Sequence, residues 1–238
     1  MSKSMISARG QRWMIWVGLA LSVVFVYGYV FLMGFFPPPA PTLSALEVAK
    51  LYSEHSLQFR IGVSLMLMSG GFLLPWTIVI AVQLARDEKG VPIWAILEAL
   101  AGTLSTLIFF LPAVFWAAAS FSPERDPAIT MQMHELAFLC FITPLCVFPL
   151  QTLPVAIICF SPKADAVPSA FPRWLGFLTL LETIIAEAGV AAVLIKTGPF
   201  AWNGLFPFYL PIFMFMIWIT AVGYNILGAI KRQELAGA

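Results

Sequence analysis

Residues 171–196 read FPRWLGFLTLLETIIAEAGVAAVLIK, a stretch that is apolar enough to cross a bilayer although Glu182 and Glu187 both lie inside it. At 1.5 Å per residue, a helix over this stretch is long enough for a hydrocarbon core of about 30 Å. A charged side chain near the middle of a membrane costs about 2.5–3.5 kcal/mol on insertion, so such residues usually face the interior of a helix bundle. The stretch therefore predicts a transmembrane helix whose neighbours shelter its carboxyls.

The composition of the whole chain agrees with a membrane protein. Of the 238 residues, 61% are hydrophobic and 11% are charged, whereas soluble domains carry about 25% charged residues. Runs such as WMIWVGLALSVVFVYGYVFLMGFF at residues 13–36 lack the alternation of polar and apolar residues that a membrane β-barrel needs. The formal charge of +1 leaves no basic footprint for nucleic acid. The sequence predicts an all-α, polytopic membrane protein with the lipid bilayer as its environment and no nucleic-acid partner.

Six apolar runs predict a bundle of six transmembrane helices in a single membrane domain of residues 1–238. The predicted spans are residues 13–36, 61–84, 92–119, 134–160, 173–195 and 205–230. The first run is longer than the 7–15-residue core of a signal peptide and no small-residue cleavage site follows it, so we expect an uncleaved helix. Pro92 suits the first turn of span three, and Asp126 followed by Pro127 is a typical helix start just before span four.

The linker between spans one and two predicts a short helix of its own. Ser44 and Glu47 fit a capping box, in which the serine side chain bonds the N3 amide and the glutamate reaches back to the serine amide. The residues that follow on one face, at i, i+3, i+4 and i+7, are Val48, Leu51, Tyr52 and His55. This pattern favours an amphipathic helix that lies at the membrane surface.

The distribution of lysine and arginine predicts the orientation of the bundle. Six spans place both termini on one side, and nine basic residues fall on that side: Lys3, Arg9, Arg12, Arg86, Lys89, Lys163, Arg173, Lys231 and Arg232. The other side holds four: Lys50, Arg60, Arg125 and Lys196. Because short cytoplasmic loops carry the excess of positive charge, we expect both termini to be cytoplasmic and the short helix to face outward. The expected location is the cytoplasmic (inner or plasma) membrane.

The intramembrane polar residues are the first candidates for a functional site. Glu182 lies roughly 15 Å along helix five, near mid-membrane, and Glu98 lies about 9 Å from the start of helix three. Gln151 on helix four and Asn225 on helix six fall at similar depths. A polar cluster of Glu98, Gln151, Glu182 and Asn225 is geometrically feasible, and three interpretations stay open. The cluster fixes helix packing, holds a proton or cation, or contacts a small molecule.

Glu182 and Glu187 do not form a pair. Five residues of separation rotate the two side chains by roughly 140° around the helix, so they point at different neighbours. Thr183 lies four residues before Glu187 and is a local partner for it. Small residues surround Glu187 (Ala186, Ala188, Gly189, Ala191 and Ala192), so we expect the outer half of helix five to be buried in protein.

A second set of candidates lies toward the outer side and comprises Glu187, His134, Glu135 and His55. Two histidines and a carboxylate can bind zinc. However, the segment HELAF at residues 134–138 is not a His-Glu-x-x-His motif, because Phe138 stands where the second histidine belongs. A pH-sensitive contact between the short helix and helix four is the alternative. We predict no metal site and no cofactor, and we recognise no catalytic motif.

Three functions follow from these residues. The first is a small transporter, or a membrane subunit of one, that uses an intramembrane carboxyl to contact a proton, a cation or a substrate. The second is a non-catalytic accessory subunit or a binder of small apolar ligands, with helix six facing the partner or ligand. The aromatic and methionine residues of that face are Phe206, Phe208, Phe213, Met214, Phe215 and Met216. The third, which the sequence favours least, is an intramembrane enzyme that uses the outer-side histidine and glutamate residues.

Overall fold

The computed structural model of the chain describes residues 8–122, 124–143, 147–162 and 168–235. Over these residues the protein is 81% helix and has no strand. Six stretches are long and apolar enough to cross a membrane: Ala8–Leu32, Ser56–Asp87, Ile93–Phe121, Pro127–Phe160, Arg173–Val193 and Gly198–Leu235. We number them spans one to six. They confirm the prediction of a multi-pass helical membrane protein. Lys3, Cys146 and Lys163 lie outside the described residues.

Ten α-helices, some of them joined end to end, form these spans and the linker helix in the described part of the chain. They are α1 (Ala8–Tyr27), α2 (Ala45–Glu54), α3 (Ser56–Ser69), α4 (Leu73–Asp87), α5 (Ile93–Ser105), α6 (Leu107–Phe121), α7 (Pro127–Ile142), α8 (Val147–Phe160), α9 (Arg173–Ala186) and α10 (Leu210–Leu235). Short π-helical turns at Gly28–Leu32 and Leu205–Tyr209 extend spans one and six, and 3-10 turns occupy Glu187–Val193 and Gly198–Phe200.

The ends of several spans differ from the predicted bounds. Span one ends at Leu32 rather than at residue 36, because Gly34 has φ +70° and turns the chain. Span three begins at Ile93, with Pro92 as the residue before the helix. Span four begins at Pro127, where the Asp126 side chain accepts a hydrogen bond from the Ala128 amide at 2.8 Å, as the cap motif predicts.

Spans two and three are each interrupted near their middle. In span two, α3 ends at Ser69 and α4 begins at Leu73. Pro75 has no N–H to bond the Gly71 carbonyl, and tight turns from Phe72 to Ser69 and from Leu74 to Gly71 replace the regular helical bonds. In span three the interruption is a single residue, Thr106, between α5 and α6. Both interruptions border the polar residues described below.

Consecutive spans pack side by side around a ring. In one half of the bundle the order of contact is α1, α4, α5, α8, α9 and α10, and α10 returns to α1. In the other half, α3 packs on α6 and α6 packs on α7. Short connections favour this arrangement of neighbours. A core that includes Trp76, Trp218 and Ile226 fills the first half, and an aromatic core fills the second.

The end of the bundle where Ala8 and Leu235 lie, which we call the terminal end, is held by amide side chains. Gln11, Gln83 and Gln233 come from spans one, two and six, and all three are buried. Gln83 Nε2 donates to Gln11 Oε1 at 2.7 Å, and Gln233 Nε2 donates to Gln83 Oε1 at 2.9 Å. Arg12 also pairs with Glu234. These bonds tie the first and last helices together.

The opposite end, which we call the α2 end, carries the linker helix. The predicted capping box is present: the Ser44 amide donates to Glu47 Oε2 at 2.7 Å and the Glu47 amide donates to Ser44 Oγ at 3.3 Å. Val48 and Tyr52 are buried, and α2 packs on α7. His55 does not share the buried face and is exposed, because α2 ends at Glu54 and the chain departs from helical geometry at His55.

Candidate functional site

Glu98 lies on the buried side of α5 and is 0% exposed. The side chains that share this face, at i, i+3, i+4 and i+7, are Glu98, Ala101, Gly102 and Ser105, and all of them are buried. Neither oxygen of the Glu98 carboxyl has a hydrogen-bond partner within the protein. Since buried polar groups are nearly always hydrogen-bonded, this carboxyl is an exception that requires a physical reason.

Two other polar residues reach the same place from neighbouring helices. Gly102 lies one turn after Glu98, and a Cβ at Gly102 would lie 2.4 Å from Thr77 Oγ1 of α4 and 2.9 Å from Gln151 Nε2 of α8. The Gln151 amide also lies beside the Glu98 carboxyl, but without hydrogen-bond geometry good enough to satisfy either oxygen. Thr77 Oγ1 and Gln151 Oε1 are buried and unpartnered as well. We call Glu98, Gln151 and Thr77 the Glu98 cluster.

Glu182 belongs to a second group of polar residues, on α9. The buried side chains of this helix are Leu175, Gly176, Thr179, Glu182 and Thr183. Glu182 is 1% exposed, and both of its oxygens lack a partner. The threonines around it are satisfied: Thr179 Oγ1 donates to the Leu175 carbonyl and accepts from Trp218 Nε1 at 3.0 Å. Thr183 Oγ1 lies 2.7 Å from Thr152 Oγ1 of α8.

Helix α8 lies between the two carboxyls. Its residue Gln151 faces α5 and the Glu98 cluster, and the next residue, Thr152, contacts Thr183 on α9. The structure therefore brings Glu98 and Gln151 together and places Glu182 on the other side of the same helix. Asn225 does not join them. Its Nδ2 donates to the Ala221 carbonyl at 2.8 Å, and it lines a cleft of about 540 Å³ at the terminal end.

His134 is the residue whose surroundings differ most from the prediction. We expected it where helix four enters the membrane, but it is 0% exposed because α2 and the segment around Trp202 cover it. Its Nδ1 lies 2.8 Å from the Tyr52 hydroxyl of α2, and burial raises the pKa of Tyr52 well above its ordinary value. Phe35 and Phe138 also pack on the ring. His134 Nε2 is buried without a partner.

The other outer-side candidates lie apart from His134 or have partners of their own. Glu135 pairs with Lys196 at 3.4 Å. Glu187 lies in the 3-10 turn after α9, with Oε1 buried and unpartnered. Thr183, its predicted partner, bonds the Thr179 carbonyl and Thr152 instead. In the parts of the chain that the structure describes, no three histidine, cysteine, aspartate or glutamate side chains are placed to hold a metal ion.

The segment of small residues around Glu187 is buried on one side only. Gly189 and Ala192 are buried, whereas Val190 and Val193 are 53% and 57% exposed. We expected the outer half of span five to be buried in protein, but the structure buries it on one side only. Its exposed valines face the surroundings of the bundle.

Thr77 and Gly102 are the members of the site that the sequence did not indicate. Helix three has a buried hydroxyl of its own, Ser105, but this hydroxyl donates to the Ala101 carbonyl of the same helix at 3.0 Å. The hydroxyl that meets α5 at Gly102, one turn after Glu98, comes from span two, two residues after Pro75. A glycine inside a predicted helix is a weak signal of close packing, and Gly102 was the one feature that could have indicated a neighbour at this depth.

Carboxyl groups inside a bundle can hold or release a proton, and carboxylate, amide and hydroxyl oxygens can ligate a cation. Both kinds of chemistry fit the residues that surround α8. The chain matches no protein-family model, no curated protein and no solved structure.

Proposed function

We propose that the protein is a small membrane transporter, or the membrane-embedded subunit of one, in which Glu98 and Glu182 contact a proton, a cation or a polar substrate. The observation that carries the proposal is that both carboxyls are at most 1% exposed inside spanning helices and have no hydrogen-bond partner. Polar residues that only fix helix packing bond across the helix interface. A carboxyl without such a bond is better explained by a ligand or a proton.

The interruptions of spans two and three support this proposal. Thr77 follows the interruption before Leu73 by one turn, and Ser105 directly precedes the interruption at Thr106. Helices that are broken near mid-membrane line the binding sites of several transporter folds, because their freed backbone groups face a ligand or a cavity. Of the Glu98 cluster, Thr77 lies one turn after the interruption of span two, and Glu98 lies about two turns before that of span three.

The orientation that we propose follows from the basic residues. Nine lysines and arginines belong to the terminal side and four to the α2 side, which favours cytoplasmic termini in a cytoplasmic membrane. In this orientation α2 faces outward and lies at the membrane surface, with Val48 and Tyr52 against the bundle and Leu46 exposed. Residues 1–238 then act as a single membrane domain.

The transport proposal is tested with purified protein in liposomes that contain a trapped pH-sensitive dye. A valinomycin-mediated potassium gradient drives proton entry, and parallel vesicles are given labelled alkali cations, amines and amino acids. We expect the wild-type protein to raise the flux of protons or of one solute, and Glu182→Gln and Glu98→Gln to abolish that flux because each removes a titratable group. Glu135→Gln is the matched control, since this carboxyl pairs with Lys196 outside the two clusters.

Two results would overturn the proposal. One is a wild-type protein that moves neither protons nor any of these solutes. The other is a flux that both Glu98→Gln and Glu182→Gln leave unchanged. The circular dichroism and gel-filtration profile of each variant must match the wild type, so that a loss of flux reports on the carboxyl rather than on folding.

The second candidate is a non-catalytic accessory subunit or an apolar-ligand binder. The observation in its favour is the outward face of α10, where Phe213, Met216 and Tyr224 are 59%, 51% and 76% exposed. Phe208 and Trp218 of the same span are buried, so only part of the aromatic set could face a partner. Native mass spectrometry that finds a monomer without bound protein or small molecule would count against this candidate.

A further inference from the structure

We infer that Glu98, Gln151 and Thr77 bind one small monovalent metal cation, of which Na⁺ is the prototype, through their side-chain oxygens. This inference rests on the proposed function and narrows it, because it assigns a coupling cation to one cluster. The four oxygens concerned are Glu98 Oε1, Glu98 Oε2, Gln151 Oε1 and Thr77 Oγ1, and each is buried and without a hydrogen-bond partner.

These oxygens come from three helices that meet at Gly102. Thr77 Oγ1 and Gln151 Nε2 each lie within 3 Å of the point that a Cβ would occupy at Gly102, and Glu98 lies one turn before it on the same face. Gln151 Oε1 belongs to the same amide group, and a half-turn of that amide exchanges the positions of Nε2 and Oε1. The absence of a side chain at Gly102 is what allows α4 and α8 to bring their polar groups to this point. Carboxylate, amide carbonyl and hydroxyl oxygens are the ligands that hard cations prefer.

A proton alone explains the arrangement less well than a cation does. The Thr77 hydroxyl is already a donor, yet it bonds neither Glu98 oxygen, and a protonated Glu98 adds only one more donor for four unpartnered oxygens on three side chains. A metal ion accepts several oxygens at once. The Glu98 cluster therefore has the composition of a coordination shell rather than that of a single hydrogen bond.

The charge of the cluster points to a monovalent ion. Glu98 is its one ionisable residue, and its other two members are neutral: Gln151 of α8 lies beside Glu98, and Thr77 of α4 meets α5 one turn away, at Gly102. One carboxylate balances one positive charge, whereas a divalent ion would leave a net charge buried in the membrane, which is unfavourable. Mg²⁺ in particular keeps several of its waters, and this cluster is almost completely buried.

Glu182 has different surroundings and is not part of this cation site. The hydroxyls nearest to it in sequence have partners, because Thr179 binds Leu175 and Trp218 while Thr183 binds Thr179 and Thr152. Its carboxyl thus lacks the additional oxygens that Thr77 and Gln151 offer to Glu98. We assign the cation to the Glu98 cluster and leave Glu182 as the titratable group of the proposed function.

The test measures cation binding without requiring transport. Thermal unfolding of the purified full-length protein is followed in detergent while NaCl replaces choline chloride at constant ionic strength, and bound ²²Na⁺ is counted by equilibrium dialysis. We expect the Tm to rise with NaCl to saturation and about one Na⁺ to bind per chain. LiCl and KCl series show how the site discriminates by ion size.

Variants then locate the site. Thr77→Val is close to isosteric and removes one ligand oxygen. We expect it to raise the half-saturating Na⁺ concentration by at least about 10–100-fold, because even the loss of a group that supports a ligand costs this much in metal sites. Glu98→Gln should abolish the effect. Gly102→Ala should weaken it strongly, because its methyl group would enter the space between Thr77 and Gln151.

Each variant has a matched control. Ser105→Ala removes a buried hydroxyl that already bonds Ala101, and Gly176→Ala adds a methyl group against Cys159 and Phe160 at 2.7 Å, away from the cluster. Glu135→Gln removes a carboxyl that pairs with Lys196 outside the two clusters. All three should keep the wild-type dependence on Na⁺, even where their Tm in choline chloride is lower.

The outcomes separate this inference from the proposed function. No Na⁺-dependent shift and no bound ²²Na⁺ overturn the cation site, although proton-driven flux that depends on Glu182 would leave the transport proposal standing. Stoichiometric Na⁺ binding that depends on Glu98 and Thr77, in a protein that moves no solute, supports the site and overturns transport. Equal loss of Na⁺ binding in Ser105→Ala and Thr77→Val would also overturn the assignment.

Discussion

The buried hydroxyls and the buried carboxyls of the spans differ in where their partners lie. Serine and threonine hydroxyls mostly donate to the carbonyl four residues earlier, as Ser105, Thr179 and Thr183 do. Such residues satisfy themselves within their own helix. The longer side chains of Glu98 and Glu182 find no such partner, and both remain unpartnered in the assembled bundle. For this reason we base the functional proposal on the carboxyls.

We predict that Tyr52→Phe lowers the free energy of unfolding by about 1–3 kcal/mol. The substitution removes the hydroxyl that lies 2.8 Å from His134 Nδ1, and a buried polar atom left without its partner carries its full desolvation cost. Reversible unfolding in mixed micelles measures the effect. Tyr224→Phe is the control, since Tyr224 is 76% exposed. Equal free energies of unfolding for the two variants would show that the hydrogen bond between Tyr52 and His134 does not stabilise the protein.

At the scale of elements, helix ends and close contacts decide how the spans fit together. Spans one and two approach so closely that a Cβ at Gly28 would lie 2.7 Å from the Gly62 carbonyl oxygen, and a Cβ at Gly62 would lie 2.9 Å from the Gly28 carbonyl oxygen. Small residues at such crossings let helix backbones touch, which favours association in a membrane. Between these spans, α2 is held at its start by the capping box and along its length by Val48 and Tyr52.

The capping box makes the start of α2 sensitive to acid. Hydrogen bonds from the Ser44 amide and then from its hydroxyl hold the pKa of Glu47 below its ordinary value of 4.5. The pKa of Glu47 is lower in the folded protein than in the unfolded chain. The stabilisation by the Glu47 carboxylate is therefore complete at a pH above the pKa of the unfolded chain, and it is lost as the pH falls through the pKa of the folded protein. We therefore expect α2 to loosen at its N-terminus below a pH of 4.5, and not at neutral pH.

A spin label on Leu46→Cys, at a position that is 73% exposed, reports this loosening as faster motion in its EPR spectrum. The native cysteines Cys140, Cys146 and Cys159 are replaced by alanine in this experiment. Glu47→Gln is the control, because glutamine can still bond the Ser44 amide but does not titrate over this range. The same acid-induced motion in Glu47→Gln would contradict the assignment to the Glu47 carboxyl.

At the scale of the whole molecule, the ring is closed by contacts between its first and last helices. Gln83 bonds both Gln11 and Gln233. Arg12 pairs with Glu234, so these two residues, more than 200 positions apart in the sequence, meet at the terminal end. The α2 end is closed differently, by aromatic packing around His134 and by the bond from Trp202 Nε1 to the Pro39 carbonyl at 2.7 Å. The two ends thus differ in chemistry as well as in charge.

The proposed orientation predicts which positions a membrane-impermeant maleimide can reach in intact cells. In the background without native cysteines, Leu46→Cys should react directly, because α2 faces outward. Leu235→Cys, at a position that is 82% exposed, should react only after the membrane is permeabilised. The reverse pattern would invert the orientation, and reaction of both cysteines in intact cells would contradict an even number of spans.

Sequence patterns were enough to predict the membrane class, the six apolar stretches and the start of α2, because these depend on hydrophobicity over about 20 residues or on side chains three residues apart. It also indicated Glu98 and Glu182, because charge is rare inside apolar runs. The packing of the helices was needed to show that Gln151 lies beside Glu98 while Asn225 does not, that Thr77 and Gln151 meet at Gly102, and that α2 buries His134. Which face a residue shares with its neighbours depends on how separate helices are rotated and offset against one another, and close contacts such as the one at Gly102 become visible only when those helices have been packed.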